Sequence, residues 1–172
     1  EKVNGRLDAL VNNAGISPKG PTNERLNSIE TDLKTWGHVF HVNFFSSVVL
    51  VNGLIDELKE AKGSIVNVTS IAGSRVHPFA GAPYATSKAA LAALTREMAY
   101  DLGPLGIRVN AIAPGEVETS ILSPGTEKIV DALPLQRLGQ PSEVASVIFF
   151  LCSGQSSYIS GTEVQVNGAQ HV

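Results

Sequence analysis

The chain has 172 residues, of which 43% are hydrophobic and 17% are charged, and its formal net charge is -3. This composition is typical of one soluble domain with its own core, and the slight negative charge argues against a nucleic-acid partner. No apolar run approaches the roughly 20 residues of a membrane span, and the polar start shows no secretory signal. The only cysteine, Cys152, excludes an internal disulfide. We therefore expect a cytoplasmic protein with no membrane partner.

The first half of the chain predicts one strand and one long helix. Leu7–Asn12 is apolar and is followed by the Pro-, Gly- and Asn-rich segment Ser17–Asn27, which predicts a strand and a loop. A helix is expected from near Thr31 to Leu58, because apolar residues recur there at steps of three and four. Asn43 lies on the same face and is the polar residue of this stripe that most needs an explanation.

The second half predicts three more strands and two more helices. In chain order these are strand Ser64–Ser70, helix Tyr84–Leu102, strand Ile107–Ile112, helix Pro141–Leu151 and strand Glu163–Val166. Gly63 is expected to end the first helix and Gly103-Pro104 the second. Strands that alternate with helices favour parallel β-α-β units, and no repeat or second domain interrupts residues 1–172.

Tyr84 and Lys88 are the centre of the chemical argument. Four positions apart on a helix, they share one face. A phenol titrates near pH 10, and a neighbouring ammonium lowers its pKa towards that of a useful acid or base. Ser70 ends a predicted strand, where ligands bind in open α/β sheets, and its hydroxyl would donate to a substrate oxygen. The alternatives are a solvated helix pair and a turn or helix-cap serine.

Several ordered motifs carry a resemblance to a known family. The segments LVNNAGIS, SIVNVTSIAG, YATSKAAL, IRVNAIAPGEVETS and SSYISGTEVQVNG resemble the short-chain dehydrogenase/reductases, and together they span essentially the whole chain. The resemblance implies an α/β fold with a partial Rossmann-like, doubly wound parallel sheet. Of the family's strand order 3-2-1-4-5-6-7, the four predicted strands match 4-5-6-7. It also implies an NAD(P)-dependent oxidoreductase that interconverts an alcohol and a ketone, with a small-molecule alcohol or carbonyl as its substrate.

The same resemblance assigns roles to four catalytic residues. Tyr84 would be the general acid/base, and Lys88 would lower its pKa and bind the nicotinamide ribose. Ser70 would polarise the substrate oxygen. Asn43 would hold a water that relays protons from Lys88 to solvent, or else it is an asparagine buried against a backbone group.

The cofactor-binding residues that the family implies lie in two turns. Asn13, Ala14 and Gly15 would line the adenosine side of NAD or NADP. Pro114-Gly115, with Val117 and Thr119, would fix the nicotinamide carboxamide. No metal site is predicted. In the loop before Tyr84, His77 would either touch substrate or simply be exposed.

The resemblance has a gap at its start, because no glycine-rich phosphate loop precedes Asn13 and the residues that select NAD or NADP are absent too. We therefore expect a family member truncated at the N-terminus, with little or no activity as an isolated chain. Leu7–Asn12 would become an edge strand, covered by a neighbouring copy or else disordered. The two long helices would pair with their copies in a homodimer or homotetramer. The alternative to an enzyme is a non-catalytic assembly or binding module that uses the same helix pair.

Overall fold

Four strands form a single parallel sheet in the computed structural model, which describes residues 5–120, 122 and 125–172. The strands, in chain order, are β1 (Ala9–Asn12), β2 (Ser64–Val68), β3 (Arg108–Pro114) and β4 (Glu163–Val166). Their order in the sheet is β1-β2-β3-β4, with every pair parallel. The predicted α/β fold and the contiguity of the four strands are thus confirmed.

Helices cover both faces of this sheet. They are α1 (Leu33–Phe40), α2 (Ser46–Gly53), α3 (Ile55–Ala61), α4 (Ala82–Leu102) and α5 (Pro141–Cys152). Ile65 and Val109, which are opposite each other in β2 and β3, join α2, α3 and α4 in one apolar cluster. Val68 and Ile112 pair in the same strands and pack with α5 in a second cluster. All five residues of β2 are buried, and Ile65, Val66 and Val68 supply its apolar contacts on the two faces.

The predicted long helix from Thr31 to Leu58 is wrong in one respect, because it is divided into three parts. A π-helical segment, His41–Phe45, separates α1 from α2, and the non-helical Leu54 separates α2 from α3. The part before this break, Leu33–Gly53, makes an angle of 65° with α3. Apolar spacing does not reveal such a division, since one extra residue in a turn leaves the buried stripe almost continuous.

The end of α3 also differs from the prediction. Lys62, not Gly63, takes the left-handed conformation that closes the helix, with a φ of 49°. Gly63 is required for another reason, because a Cβ there would lie 2.7 Å from the carbonyl oxygen of Leu7. The glycine thus permits the close approach of the segment that leads into β1.

Three boundaries bear on the site. The strand β2 ends at Val68, so Ser70 lies just beyond it, and α4 begins two residues before Tyr84. The strand β3 extends to Pro114. The predicted loop up to Gly139 contains a 3-10 helix, Thr126–Ala132.

The strand β1 is an edge strand, as predicted. Among the described residues it pairs with β2 alone, and Val11 is 41% exposed. Its coverage by a neighbouring copy stays a prediction. In the described part of the chain, no single helix has both the length and the apolar character needed to cross a bilayer, although Leu33–Gly53 and α3 pass that test as a bent pair by length and composition alone.

Candidate active site

A cavity of about 590 Å³ opens at the carboxyl ends of the strands. The turns that follow β1, β2 and β3 form its walls together with α4 and α5, which is the expected ligand position in an open parallel sheet. The sequence-predicted residues that line it are Asn13, Gly15, Ser70, Tyr84, Lys88, Pro114, Gly115, Val117 and Thr119. Ala14 is exposed outside this lining, and Asn43 is buried behind it.

Lys88 is held deep in the wall by α4. This helix begins with Pro83 in its first turn and carries Tyr84 and Lys88 one turn apart, with the lysine Nζ 5.8 Å from the centre of the phenol ring. Lys88 is only 3% exposed, and its Nζ donates a 2.7 Å hydrogen bond to the carbonyl oxygen of Val68. Burial lowers the pKa of Lys88 to about 8. The side chain therefore keeps its positive charge at neutral pH but lies close to losing it.

The pKa of Tyr84 differs from the sequence-based expectation. Burial raises the pKa of this phenol, an interaction with the Ser70 side chain opposes the rise, and the charge of Glu116 adds to it. The predicted lowering by Lys88 is not seen in this arrangement, because the ammonium is directed at the Val68 carbonyl. Tyr84 is consequently a phenol, a proton donor, at neutral pH.

The structure shows one of the two alternatives for Ser70, that of a cap serine, while its donation to a substrate oxygen stays a prediction. It caps the 3-10 turn Ile71–Gly73, since its Oγ accepts a 3.2 Å hydrogen bond from the backbone N–H of Ala72. The same side chain lines the cavity and interacts with Tyr84. Capping fixes the position of the hydroxyl at the place where the strand ends.

Asn43 is fully buried in the π-helical segment, and its side chain joins two elements. Its Oδ1 accepts from the backbone N–H of Ile16 at 2.8 Å, and its Nδ2 donates to Ile16 O and to Ser87 Oγ, both at 3.0 Å. This is the alternative of an asparagine buried against a backbone group. The predicted water relay stays a prediction, and it would have to use the remaining lone pair of Oδ1 or the main-chain carbonyl of Asn43.

Two glycines, Gly15 and Gly115, allow close packing in the walls of the cavity. A Cβ on Gly15 would lie 3.3 Å from Lys88 Nζ and 3.5 Å from Asn43 Oδ1, so Gly15 fits between these side chains. A Cβ on Gly115 would lie 2.7 Å from the Cβ and 3.0 Å from the Cα of Asn167. The turn after β3 therefore depends on glycine at this position.

Sequence reasoning missed part of the polar lining. Glu116 and Lys19 both line the cavity. Of the two alternatives for His77, the exposed loop residue is excluded, because His77 lines the cavity as well and is 8% exposed. The Nε2 atom of His77 lies 2.6 Å from Oε1 of Glu116. The position of Glu116 just beyond β3 was the available signal. For Lys19, which lies in a long loop, the sequence offered none.

The cavity is free of an evident metal centre. Within residues 5–120, 122 and 125–172, no group of three or more His, Cys, Asp or Glu side chains could hold a metal ion. A parallel sheet with a serine, a tyrosine and a lysine at its carboxyl edge instead defines a class of proteins that bind organic ligands there.

Comparison with known proteins identifies that class. A family model described as enoyl-(acyl carrier protein) reductase matches residues 1–171. The chain belongs to the short-chain dehydrogenase/reductase family.

Three relatives illustrate the extent of the similarity. Protein FixR of Bradyrhizobium diazoefficiens is 63% identical over 167 residues, which are 96% of this chain and 60% of that protein. The 3-oxoacyl-(acyl-carrier-protein) reductase FabG of Aquifex aeolicus is 39% identical over 171 residues, which are 94% of this chain and 64% of that protein. A crystal structure of a short chain dehydrogenase/reductase family oxidoreductase from Brucella ovis, in complex with a partially ordered NAD, is 57% identical with a TM-score of 0.82. That match covers 96% of this chain and 67% of the other. The chain thus spans 60% to 64% of the length of these two curated relatives.

Proposed function

We propose that the protein is an NAD(P)-dependent oxidoreductase that interconverts an alcohol and a ketone, with Tyr84 as its general acid/base. The observation that supports this most is the convergence of Ser70, Tyr84 and Lys88 on one cavity at the carboxyl edge of the sheet. FabG is by name a reductase of an oxo group, and the Brucella ovis oxidoreductase is described with NAD, which agrees with this chemistry.

Ser70, Tyr84 and Lys88 would have different roles in the reaction. The nicotinamide cofactor supplies or accepts the hydride. Ser70 donates a hydrogen bond to the substrate oxygen, and Tyr84 delivers a proton to that oxygen during reduction or removes it during oxidation. The raised pKa of Tyr84 keeps the phenol protonated at neutral pH, which favours reduction. The Lys88 ammonium lies 5.8 Å from the centre of the ring and donates to the Val68 carbonyl, so it would have to turn towards the phenol oxygen to stabilise the phenolate that results.

The remaining site residues would position the cofactor. The turn of Pro114, Gly115, Val117 and Thr119 lies against the cavity and would hold the carboxamide, while Asn13 and Gly15 line the wall after β1. Gly15 carries no side chain, and a Cβ there would lie 3.3 Å from Lys88 Nζ, so a larger residue would crowd the ammonium that would bind a ribose hydroxyl from the cavity. Ala14 lies outside this wall and would contribute only through the turn.

The whole protein would be a cytoplasmic homodimer or homotetramer, in which residues 1–172 form the C-terminal portion of one Rossmann-like domain. The phosphate-binding loop would come from residues that precede this chain. Turnover by the isolated 172 residues is therefore expected to be absent, because the pyrophosphate of the cofactor would have no helix N-terminus to bind.

The test compares two tyrosines of the same helix in the full-length gene product. Tyr84→Phe is expected to lower kcat for ketone reduction by about 10²- to 10⁴-fold while NADH or NADPH binding, followed by fluorescence, is retained. Tyr100→Phe is the matched control, since Tyr100 is 84% exposed on α4. Full activity of the Tyr84 variant would refute the assignment. Cofactor binding without turnover across a broad ketone panel would favour the assembly module instead.

A further inference from the structure

A histidine and a glutamate meet in the wall of the cavity without belonging to the proposed catalytic set. His77 lies in the loop before α4, and Glu116 lies in the turn after β3. Both residues line the cavity, and each side chain is only 9% exposed. The Nε2 atom of His77 is 2.6 Å from Oε1 of Glu116. This contact joins two segments that are distant in the sequence.

The hydrogen bonds of the His77 ring determine which nitrogen carries its proton. Nδ1 accepts from the backbone N–H groups of Phe79 and Ala80, each at 3.3 Å, so the ring proton is on Nε2. The ring N–H therefore meets Oε1 of Glu116, which has no other hydrogen-bond partner among the described residues. Because both nitrogens are used within the protein, His77 is not available to exchange a proton with a substrate.

The main chain around His77 is fixed from the opposite side. Arg25 Nε donates to the carbonyl oxygen of His77 at 3.2 Å, and Lys19 Nζ donates to the carbonyl oxygen of Phe79. Both cations come from the loop after β1. With its main chain held by this loop and its Nδ1 held by two backbone N–H groups, His77 is a fixed point from which the contact with Glu116 is made.

The turn that carries Glu116 has its main-chain contacts elsewhere. The N–H of Glu116 donates to Gln170 Oε1 at 3.3 Å, and its carbonyl oxygen accepts from the N–H of Gly139 at 2.8 Å. Gln170 follows β4, and Gly139 precedes α5. The main chain of the turn is thus bonded to these two segments, whereas its side chain contacts the loop before α4. The contact with His77 therefore fixes the spacing between the turn and the start of α4.

These two segments carry the two halves of the proposed reaction. The turn after β3 would hold the nicotinamide, and Tyr84, in the first turn of α4, would move the proton. Hydride and proton must reach the carbon and the oxygen of one carbonyl group, so the spacing between the turn and the helix affects the rate. We propose that His77 and Glu116 are positioning residues, whose contact keeps the nicotinamide in line with Tyr84. This inference rests on the proposed oxidoreductase function and adds two residues to it.

Substitutions at His77 separate this contact from the other bonds of the ring. Asparagine carries its amide oxygen near the position of Nδ1, so His77→Asn retains an acceptor for the two backbone N–H groups but does not reach Glu116. Glutamine extends its amide nitrogen towards the position of Nε2, so His77→Gln retains a donor to Glu116. For ketone reduction by the full-length gene product, kcat should fall about 10- to 100-fold in His77→Asn and much less in His77→Gln. The opposite order would mean that His77 only caps its own loop, and would overturn the proposal.

Substitutions at Glu116 give the reciprocal comparison. Glu116→Gln keeps an oxygen that accepts from Nε2, and Glu116→Leu does not. Glu118→Leu is the matched control, because Glu118 is exposed on the same turn. Glu116→Leu should lose as much kcat as His77→Asn, and the double variant should lose no more than either alone, because all three lack the same contact. Additive losses, or an equal loss in the Glu118 variant, would contradict the proposal.

A binding measurement makes the test independent of turnover. NADH and ADP-ribose differ in the nicotinamide, so the ratio of their dissociation constants reports how much this group contributes to binding. His77→Asn should reduce that contribution about two- to tenfold, the range of one hydrogen bond, while ADP-ribose binds as it does to the wild type and shows that the variant is folded. An unchanged ratio would refute the positioning role. A wild type that binds NADH but reduces no ketone would refute the oxidoreductase function, and the ratio would still decide whether the contact holds the nicotinamide-binding turn.

Discussion

Replacement of Lys88 by Met should make the protein more stable at neutral pH although it removes a residue of the proposed catalytic set. Lys88 is 3% exposed, and burial lowers its pKa from 10.5 to about 8. At about 1.4 kcal/mol per pKa unit, this difference means that the fold holds the ammonium at a cost of about 3 kcal/mol. Loss of the charge-assisted bond to the Val68 carbonyl costs about 1.5–3 kcal/mol in the variant, so its net gain in the free energy of unfolding at pH 7 should be up to about 1.5 kcal/mol.

The pH dependence of stability gives the sharper test of this reasoning. The folded pKa of Lys88 lies below the unfolded value, so the unfolded state binds more protons between pH 8 and pH 10.5. The free energy of unfolding of the wild type should therefore rise with pH across that window. The Met variant lacks the titrating group, and its advantage should shrink by about 3 kcal/mol as the pH increases.

Urea unfolding of the full-length gene product from pH 7 to pH 10 measures both quantities. Lys34→Met is the matched control, because Lys34 is an exposed lysine at the start of α1. Its stability should follow that of the wild type at every pH. A Lys88→Met protein that is less stable at pH 7, or whose difference from the wild type does not change with pH, would refute the argument from burial.

Three further substitutions have expected outcomes. Asn43→Leu removes three buried hydrogen bonds and should lower the free energy of unfolding by about 2–4 kcal/mol in urea titrations. Gly115→Ala places a Cβ within 3.0 Å of a backbone atom and should cost about 1–3 kcal/mol, whereas Gly139→Ala meets its nearest atom at 3.5 Å and should cost less than 1 kcal/mol. Glu116→Gln removes a charge that raises the pKa of Tyr84, so the pH profile of kcat/KM for alcohol oxidation should shift to lower pH.

Each of these outcomes has a result that would contradict it. A stable Asn43 variant would mean that the backbone of Ile16 finds other partners. Equal losses for the two alanine variants would show that the turn after β3 does not depend on close packing. If Glu116→Gln leaves the pH profile unchanged, or if the exposed Glu118→Gln shifts it equally, then the charge of Glu116 does not specifically raise the pKa of Tyr84.

Much of the fold followed from local signals in the chain. The four strands and their parallel arrangement follow from apolar runs that alternate with helical patterns, because each run can be buried only between helices. Tyr84 and Lys88 share a helix, so their spacing alone places them on one face. Ser70 follows the second strand directly, which puts it at the ligand-binding edge.

Long-range contacts decided the rest of the site. Asn43 bonds to the backbone of Ile16, and no pattern of side chains in the sequence predicts this contact. The π-helical segment that contains Asn43 does not interrupt the apolar stripe, so the sequence does not predict that segment either. The sequence also predicted the wrong direction for the pKa of Tyr84. That pKa depends on burial and on the charge of Glu116, and both arise only when residues distant in sequence come together around the cavity.

The sequence by itself determined which segments form strands and helices and the identity of the serine, tyrosine and lysine, because these are properties of neighbouring residues, whereas the order of the strands in the sheet was implied only by the family resemblance. Only the tertiary structure brought Lys19, His77 and Glu116 from three separate loops to one wall of the cavity. Charges interact through space and through the local dielectric, not along the chain. The polar lining of the cavity was therefore decided by the way in which the three loops pack over the sheet.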